Sequence, residues 1–400
     1  MTDKPITAPI SVSSIFLTFL TLGCLSFGGP AAHLGYFREE FVAKKRWISD
    51  EIYAEWVALC QLLPGPASSQ VGFLMGWHQG GLRGAFAAWL GFTLPSALIM
   101  LGFALSLSWI PTLSEFGLFH GLKLVAVVVV AHAVWSMGEK FCHSRSTSTV
   151  MAASCAGVFL LPSAVSHIVI ILVSSVIGMM ACHPSQTQSA TTNTRPVTFW
   201  SANLCLMVFW GLLIGLPFFA LQNELTQLFS NIYQAGALVF GGGHVVLPLL
   251  QHSLVDGNIV KEDIFYAGYS AAQTLPGPLF TFAVFLGAST ALIIHPVVGA
   301  VIGLIAIFMP GFLLLMGVLP YWGKLKQNQR ILGALAGVNA AVVGILLAAL
   351  FSPLWISTVH NGVDFAIVIT LLVAAMRWHI PPWGIVLSGA GLGMLTTWVN

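Results

Sequence analysis

Two short glycine- and proline-rich motifs carry the chemistry this sequence suggests, and both occur twice. Phe27-Gly28-Gly29 is followed by Asp50-Glu51 and by Gln61-Leu62-Leu63-Pro64-Gly65-Pro66. The same order returns as Phe240-Gly241-Gly242, Glu262-Asp263 and Gln273-Thr274-Leu275-Pro276-Gly277-Pro278, offset by 213 residues at the first motif and 212 at the last. Glycine reaches positive φ and lets other groups approach the backbone, while proline ends one helix and can begin another. A helix that starts at such a break aims its first N–H groups, with about half a positive charge, at whatever lies in front of it. The chemistry is therefore main-chain binding of an anion. On this reading Gly28, Gly29, Pro64, Gly65 and Pro66, with Gly241, Gly242, Gly243, Pro276, Gly277 and Pro278, line a solute site where the two copies meet. Gln61 and Gln273 precede each Pro-Gly-Pro, and their amides either bind an oxyanion or cap the break. The bland alternative is that the motifs only kink helices or permit close packing; two motif types, repeated in both halves and each interrupting an apolar stretch, favour the site.

Among the charges, Lys123 stands out because it lies inside the apolar stretch Phe116–Met137, where an unpaired ammonium costs several kcal/mol. Its counterpart in the second copy, at an offset of 216, is Asn339. Lys123 is either an electropositive ligand for the anion or a snorkelling group paired with a carboxylate such as Glu55. Arg38 and Arg83 offer forked guanidinium bonds to an oxyanion, but interfacial arginines more often anchor topology. His33, His120 and His244 titrate near neutral pH and are candidates to carry a coupling proton. Glu55, in the apolar run Ile52–Cys60, is an equal or better one. The twelve histidines show no HExxH and the six cysteines no CxxC, so neither a metal site nor a cofactor is expected.

The elements that position these residues must sit in lipid. With 57% hydrophobic and 7% charged residues in 400 and a mean hydropathy of +0.90, the chain has too little polar surface for a water-facing shell. Leu82–Leu107, Phe116–Met137 and Phe199–Ala220 are each long enough to cross about 30 Å of hydrocarbon. The polar opening Met1–Pro9 runs into Ile15–Gly29 without a signal-peptide pattern. A net charge of +2 spread over many loops supports neither a nucleic-acid footprint nor a polybasic lipid anchor.

The repeat divides the chain into a first membrane repeat over residues 11–183, a polar linker with one unpaired helix over 184–222, and a second repeat over 223–400. One unpaired span inverts the second repeat relative to the first. The positive-inside rule agrees: Lys4, Arg83, Lys140, Arg145 and Arg195 occupy first-half loops whose second-half equivalents lack Lys and Arg, whereas Lys324, Lys326, Arg330 and Arg377 show the reverse. Lys261 is the exception. Arg38, Lys44, Lys45 and Arg46 stay inside only if the chain enters, breaks at Gly28-Gly29-Pro30 and returns. A second excursion breaks at Pro64-Gly65-Pro66 and returns through Ser68–Gly80. The expected fold is an all-α polytopic membrane protein of two inverted-topology repeats, with about nine full spans and about four half-length hairpin segments. Its N-terminus is inside and its C-terminus outside. That architecture belongs to a secondary transporter rather than an enzyme.

Phe27-Gly28-Gly29-Pro30 with His33, the Gln61–Pro66 motif and their second-half copies resemble the chromate transporter family in its long two-domain form, over nearly the whole chain. The resemblance implies a multi-pass carrier of the bacterial inner membrane, with lipid as its surroundings and no nucleic-acid partner. It would export chromate, a tetrahedral oxyanion shaped and charged like sulfate, conferring chromate resistance without ATP or any cofactor. The membrane potential or a proton gradient would drive it. No GxxxxGK[ST] motif is present, consistent with that. A homodimer is compatible with the sequence. The second half has Gly243 where Pro30 stands, Val246 where His33 stands and Gln251 where Arg38 stands, so the first half is expected to supply more of the polar chemistry. Transport of sulfate or a related oxyanion with chromate carried by mimicry, and an anion channel, remain alternatives. A chromate-reducing enzyme would need a haem, cysteine-cluster or dinucleotide motif that the sequence lacks.

Overall fold

The structure, a computed structural model, describes residues 10–107, 117–160, 164–182, 197–220, 223–240, 243–290, 292 and 295–399. Among the described residues there are helices and no strands, one of the two ways a chain in lipid pairs its backbone groups. The sequence-predicted linker through Pro196, together with Gly241 and Gly242, lies outside the described residues.

In the first half, α1 (Val12–Leu25) starts at Ser11, whose hydroxyl accepts the N–H of Ser14. It ends before Ser26-Phe27-Gly28, and α2 (Gly29–Phe37) continues into a π-helical turn over Arg38–Lys44. α3 (Asp50–Leu62) opens on the cap Ser49 with Asp50 and Glu51 in its first turn, where carboxylates suit the helix dipole. The chain breaks again at Leu63–Pro66, and α4 (Ala67–Leu107) comes next. Both breaks fall where the sequence puts them.

The helices on either side of each break fold back. With 14 residues, α1 is about 21 Å long, short of the hydrocarbon thickness. Its Phe19 ring sits 5.6 Å from Phe37 and 5.0 Å from Phe41 on the returning arm. Gln79 Nε2 donates to the Trp47 carbonyl at 3.2 Å, bringing the far end of the second excursion back to the level at which it began. A further reversal follows where the sequence ends the return through Ser68–Gly80 and starts a new helix at Leu82. At Gly81 (φ 62°, ψ −152°) α4 turns on itself, and Gly76 meets Gly84 and Ala88 across the two arms.

The remaining helices are α5 (Leu118–Phe141), α6 (Arg145–Leu160), α7 (Ala164–Ala181), α8 (Phe199–Ala220), α9 (Glu224–Leu238), α10 (Val246–Leu250), α11 (Glu262–Thr274), α12 (Phe282–Ala288), α13 (Pro296–Val318), α14 (Trp322–Leu325), α15 (Gln329–Ala349), α16 (Gly362–Met376) and α17 (Pro382–Val399). Five described helical stretches are long and apolar enough to cross a membrane: Ala67–Leu107, Leu118–Phe141, Phe199–Ala220, Pro296–Leu325 and Gln329–Trp355. Shorter apolar helices of 10–17 residues accompany them. The chain is a multi-pass membrane protein. α8 shows the lipid-facing character most plainly, exposing Phe199, Trp200, Met207, Trp210, Ile214, Phe218 and Phe219. Such a surface is stable only against hydrocarbon.

The chain forms two compact units, and each draws on both sequence halves. One unit comprises Met1–Leu105, Gln188–Gly243 and Leu275–Trp322; the other comprises Ser106–Thr187, His244–Thr274 and Gly323–Asn400. Within the first, α13 packs on α8, α9 and α12. Gly23 lies against the Phe92 carbonyl and, at the matching place in the second copy, Gly236 lies against the Ile307 carbonyl. Within the second unit, α15 packs on α5, α6 and α7, and α17 packs on α5. Gly178 fits against Gly333 and Gly337, and correspondingly Gly393 fits against Gly117 and Gly121. Contacts between small residues let helix backbones approach in the absence of a hydrophobic driving force. Because a Cβ on Gly337 would run into the Ser174 carbonyl and come within 2.8 Å of Gly178 Cα, Gly337→Ala should destabilise the protein by about 1–3 kcal/mol, read as a lowered thermal midpoint in detergent.

Candidate functional site

The described glycine breaks adopt the conformations that only glycine takes without strain: φ is 101° at Gly28, 76° at Gly29, 115° at Gly65 and 92° at Gly277. Gly243 instead sits in a 3-10 turn, Gly243–Val245, without a positive φ. Pro64, Gly65 and Pro66 are buried or nearly so. The second-half triplet Pro276, Gly277 and Pro278 is buried in the same way. Two backbone hydrogen bonds join the breaks across the sequence halves. The Gly65 N–H donates to the Val239 carbonyl at 2.7 Å, and the Gly277 N–H donates to the Ser26 carbonyl at 3.0 Å. Val239 immediately precedes Phe240-Gly241-Gly242, and Ser26 immediately precedes Phe27-Gly28-Gly29. Each Pro-Gly-Pro thus seals the Phe-Gly-Gly break of the other copy. This satisfies backbone groups that helices cannot satisfy at these positions.

Around these joints lies a set of polar side chains outside the repeated motifs. Gln70 Nε2 donates at 3.0 Å to both the Pro64 and the Gly311 carbonyls. Two carbonyl partners fix the amide orientation, since the flipped rotamer would set oxygen against oxygen. Its Oε1 is buried with no hydrogen-bond partner, as are Ser26 Oγ, Ser69 Oγ and Thr93 Oγ1. Buried polar atoms are nearly always paired with protein, water or ligand. These four atoms are therefore candidates to meet a polar guest, and three of them are hydroxyls able to donate to an oxyanion.

His33 is buried beside them. Its Nε2 lies 3.2 Å from the Ser26 carbonyl, its Nδ1 lies 3.3 Å from Ser68 Oγ, and its ring meets Phe92 edge-on at 5.2 Å. A carbonyl only accepts, so Nε2 carries the proton and Nδ1 accepts from Ser68. Gln61 and Glu55 are half-buried on α3.

Arg38 and Lys123 are each held by a carboxylate. Arg38 does not present its guanidinium to a solute: Nε and Nη2 grip Asp50 Oδ1 and Oδ2 at 2.7 and 3.0 Å, on the surface. The fork matches a carboxylate as well as it matches an oxyanion, and the guanidinium holds the Asp50 carboxyl below its usual range. Arg38→Ala should therefore leave solute transport within about twofold of the parent, measured as initial uptake rate. Arg83 is exposed. In the second unit, Lys123 pairs with a carboxylate, that of Asp263, at 2.5 Å. Asn339 is buried, with Oδ1 unpartnered. Gln273 is half-buried and hydrogen-bonded to Tyr269. His120 pairs with Asp364 at 2.8 Å. For His244 only the backbone is described.

A sequence model of the chromate transporter family matches residues 13–179 and matches again over residues 226–394. The chain belongs to the chromate transporter family. The chain is 27% identical to a chromate transport protein of Pseudomonas aeruginosa, over 100% of this chain and 90% of that protein. A probable chromate transport protein of Synechococcus elongatus is likewise 27% identical, over 92% of this chain and 90% of its own. An uncharacterized transporter of Methanocaldococcus jannaschii is 29% identical over 84% and 83%. No solved structure matches the chain.

The double match also explains why the polar cluster carries no repeated motif. At the offsets of the family repeat, Ser26, His33, Ser68, Gln70 and Thr93 correspond to Val239, Val246, Phe280, Phe282 and Phe308. The second copy has apolar residues at each of these positions. Ser69 does have a hydroxyl counterpart, Thr281, but that hydroxyl donates to the Pro278 carbonyl at 2.9 Å. The signal in the sequence was the polar run Ser68-Ser69-Gln70 just inside an apolar helix of this transporter, visible only when the copies are compared for difference.

Proposed function

We propose that this protein exports chromate across the bacterial inner membrane as a secondary active transporter. The observation that carries this reading is the pair of crossed joints, Gly65 to Val239 and Gly277 to Ser26, with unpartnered buried hydroxyls of Ser26, Ser69 and Thr93 nearby. A tetrahedral dianion offers oxygens in every direction and accepts only, so hydroxyls and helix-start N–H groups suit it, and no formal cation is needed at the joint. The names of the relatives from Pseudomonas aeruginosa and Synechococcus elongatus support chromate as the oxyanion.

The transport mode we propose is alternating access, with the inverted repeats exchanging equivalent conformations around the joints. Three observations support it: matched contacts that exchange when the copies are exchanged, the flip of basic residues between the halves, and the two successive family matches. Export is downhill for the charge. With about 100 mV inside negative, two negative charges moving outward gain roughly 4.6 kcal/mol. A proton gradient is the other source, and Glu55 is a candidate carrier on α3. Sulfate is the second reading, because hydroxyls and N–H groups do not distinguish one tetrahedral dianion from another of similar size.

Uptake of radiolabelled chromate into energised inside-out vesicles tests the proposal. Saturable uptake that collapses with the gradients is expected. Full inhibition by equimolar sulfate would shift the assignment to sulfate; linear, gradient-following flux without saturation would make the protein a channel.

A further inference from the structure

Two ion pairs cross from the same face of α5, one turn apart, and they are built in opposite ways. His120 pairs with Asp364, whose carboxylate is only 2% exposed and is bolted in place. Its Oδ2 accepts the His360 N–H at 3.0 Å, while its own N–H is capped by Asn361 Oδ1 at 2.9 Å. Lys123 pairs with Asp263 at 2.5 Å, but here the cation is the more buried partner, 15% exposed, and the carboxylate is 63% exposed. Asp263 sits in the first turn of α11. The pair occurs once in the duplicated chain: at the repeat offsets Lys123 corresponds to Asn339 and Asp263 to the exposed Glu51.

A half-buried ammonium on an apolar helix needs an anion, whereas an exposed carboxylate at the polar start of a helix, beside Lys261 and Glu262, depends less on its cation. An arriving oxyanion can therefore take the place of Asp263 at Lys123, because the displaced carboxylate sits at the exposed, polar start of α11 and not in the interior. Both present oxygen to the same N–H donors. We propose that Lys123 is a station for the tetrahedral oxyanion on its path, and that Asp263 is its resident, displaceable counter-ion. This rests on the reading that the transported solute is an oxyanion. The charged and titratable neighbours on the elements packed against α5 are Glu262, Asp263, Tyr266 and Tyr269 on α11, Asp364 on α16 and Arg330 at the start of α15, with His360 on the loop before α16. Of these, Asp263 is the one in contact with Lys123.

The test uses the full-length protein reconstituted in liposomes, with radiolabelled chromate as the probe and a thermal midpoint recorded for every variant. Asp263→Asn frees the ammonium and should lower KM for chromate roughly two- to fivefold. Lys123→Gln should raise KM roughly tenfold or more, and the neutral double variant should stay as poor as Lys123→Gln. A pair that only holds α11 to α5 gives the opposite pattern: Asp263→Asn raises KM or leaves it unchanged, and the double variant recovers parental transport. That pattern overturns the station. If Lys123→Gln fails to fold, the KM of Asp263→Asn alone decides. Absence of chromate and sulfate transport by the parent protein would instead remove the oxyanion reading itself, a result distinguishable from normal parental transport with the bolt pattern in the variants.

Discussion

Gly277→Ala should abolish saturable chromate uptake and lower the thermal midpoint of the transporter. The residue adopts φ 92°, so any side chain brings backbone strain of about 1–3 kcal/mol. A Cβ there would also come 2.9 Å from Ser96 Oγ and 3.2 Å from the Phe92 carbonyl, a backbone atom that cannot simply rotate away. Relief requires the Pro-Gly-Pro segment to lift, and lifting breaks the Gly277 N–H bond to Ser26. That carbonyl is also bonded by His33, so the disturbance reaches Ser68. Gly65→Ala should behave alike, because φ is 115° and the new Cβ would meet Gly311 Cα and Gln70 Nε2 at 3.0 Å. Gly29→Ala is the control: its φ of 76° imposes strain, but nothing lies within 4 Å of the added carbon. It should fold and retain partial uptake. Thermal unfolding in detergent with vesicle uptake checks all three, and equal behaviour of Gly29→Ala and Gly277→Ala would show that the crossed joints carry no special role.

The second large effect separates stability from function. Ser26→Ala, Ser69→Ala and Thr93→Val each remove a buried hydroxyl that has no partner among the described residues. Burying an unpaired polar group costs about 1–3 kcal/mol, so these variants should be as stable as the parent or more so. If the hydroxyls donate to the oxyanion, each loss should cost roughly tenfold in kcat/KM for chromate, since a hydrogen bond to a charged group contributes about 1.5–3 kcal/mol. Raised thermal midpoints with reduced uptake are the expected signature. Unchanged uptake in the triple variant would place the solute elsewhere. Thr281→Val should differ in sign: its hydroxyl is already bonded to Pro278, so removing it costs stability first.

Much of this protein was legible residue by residue. Membrane class comes from composition, since 7% charged residues cannot clothe a chain of this length in water. The breaks at Gly28-Gly29 and Pro64-Gly65-Pro66 come from local dihedral demands, because proline lacks an N–H and glycine lacks a Cβ whatever surrounds them. The duplication needs only comparison of the chain with itself. The return through Ser68–Gly80 ahead of a new helix from Leu82 was legible too, at the Gly80-Gly81 pair beside His78, Gln79 and Arg83; the structure puts the reversal at Gly81, where Gly76 packs on Gly84.

Partnership was decided by the tertiary structure. The sequence left Arg38 open between an oxyanion fork and a topology anchor, and Lys123 between an anion ligand and a carboxylate-paired group; the structure supplies the partners, Asp50 for the first and Asp263 for the second. The polar cluster of Ser26, Ser69, Gln70 and Thr93 shares no repeat signature, and its significance depends on which neighbours each atom lacks. Dihedral preference and hydropathy reside in adjacent residues and so can be read from the chain. The satisfaction of a donor such as the Gly65 N–H depends on an acceptor at Val239, whose approach is set by the packing of every helix between them.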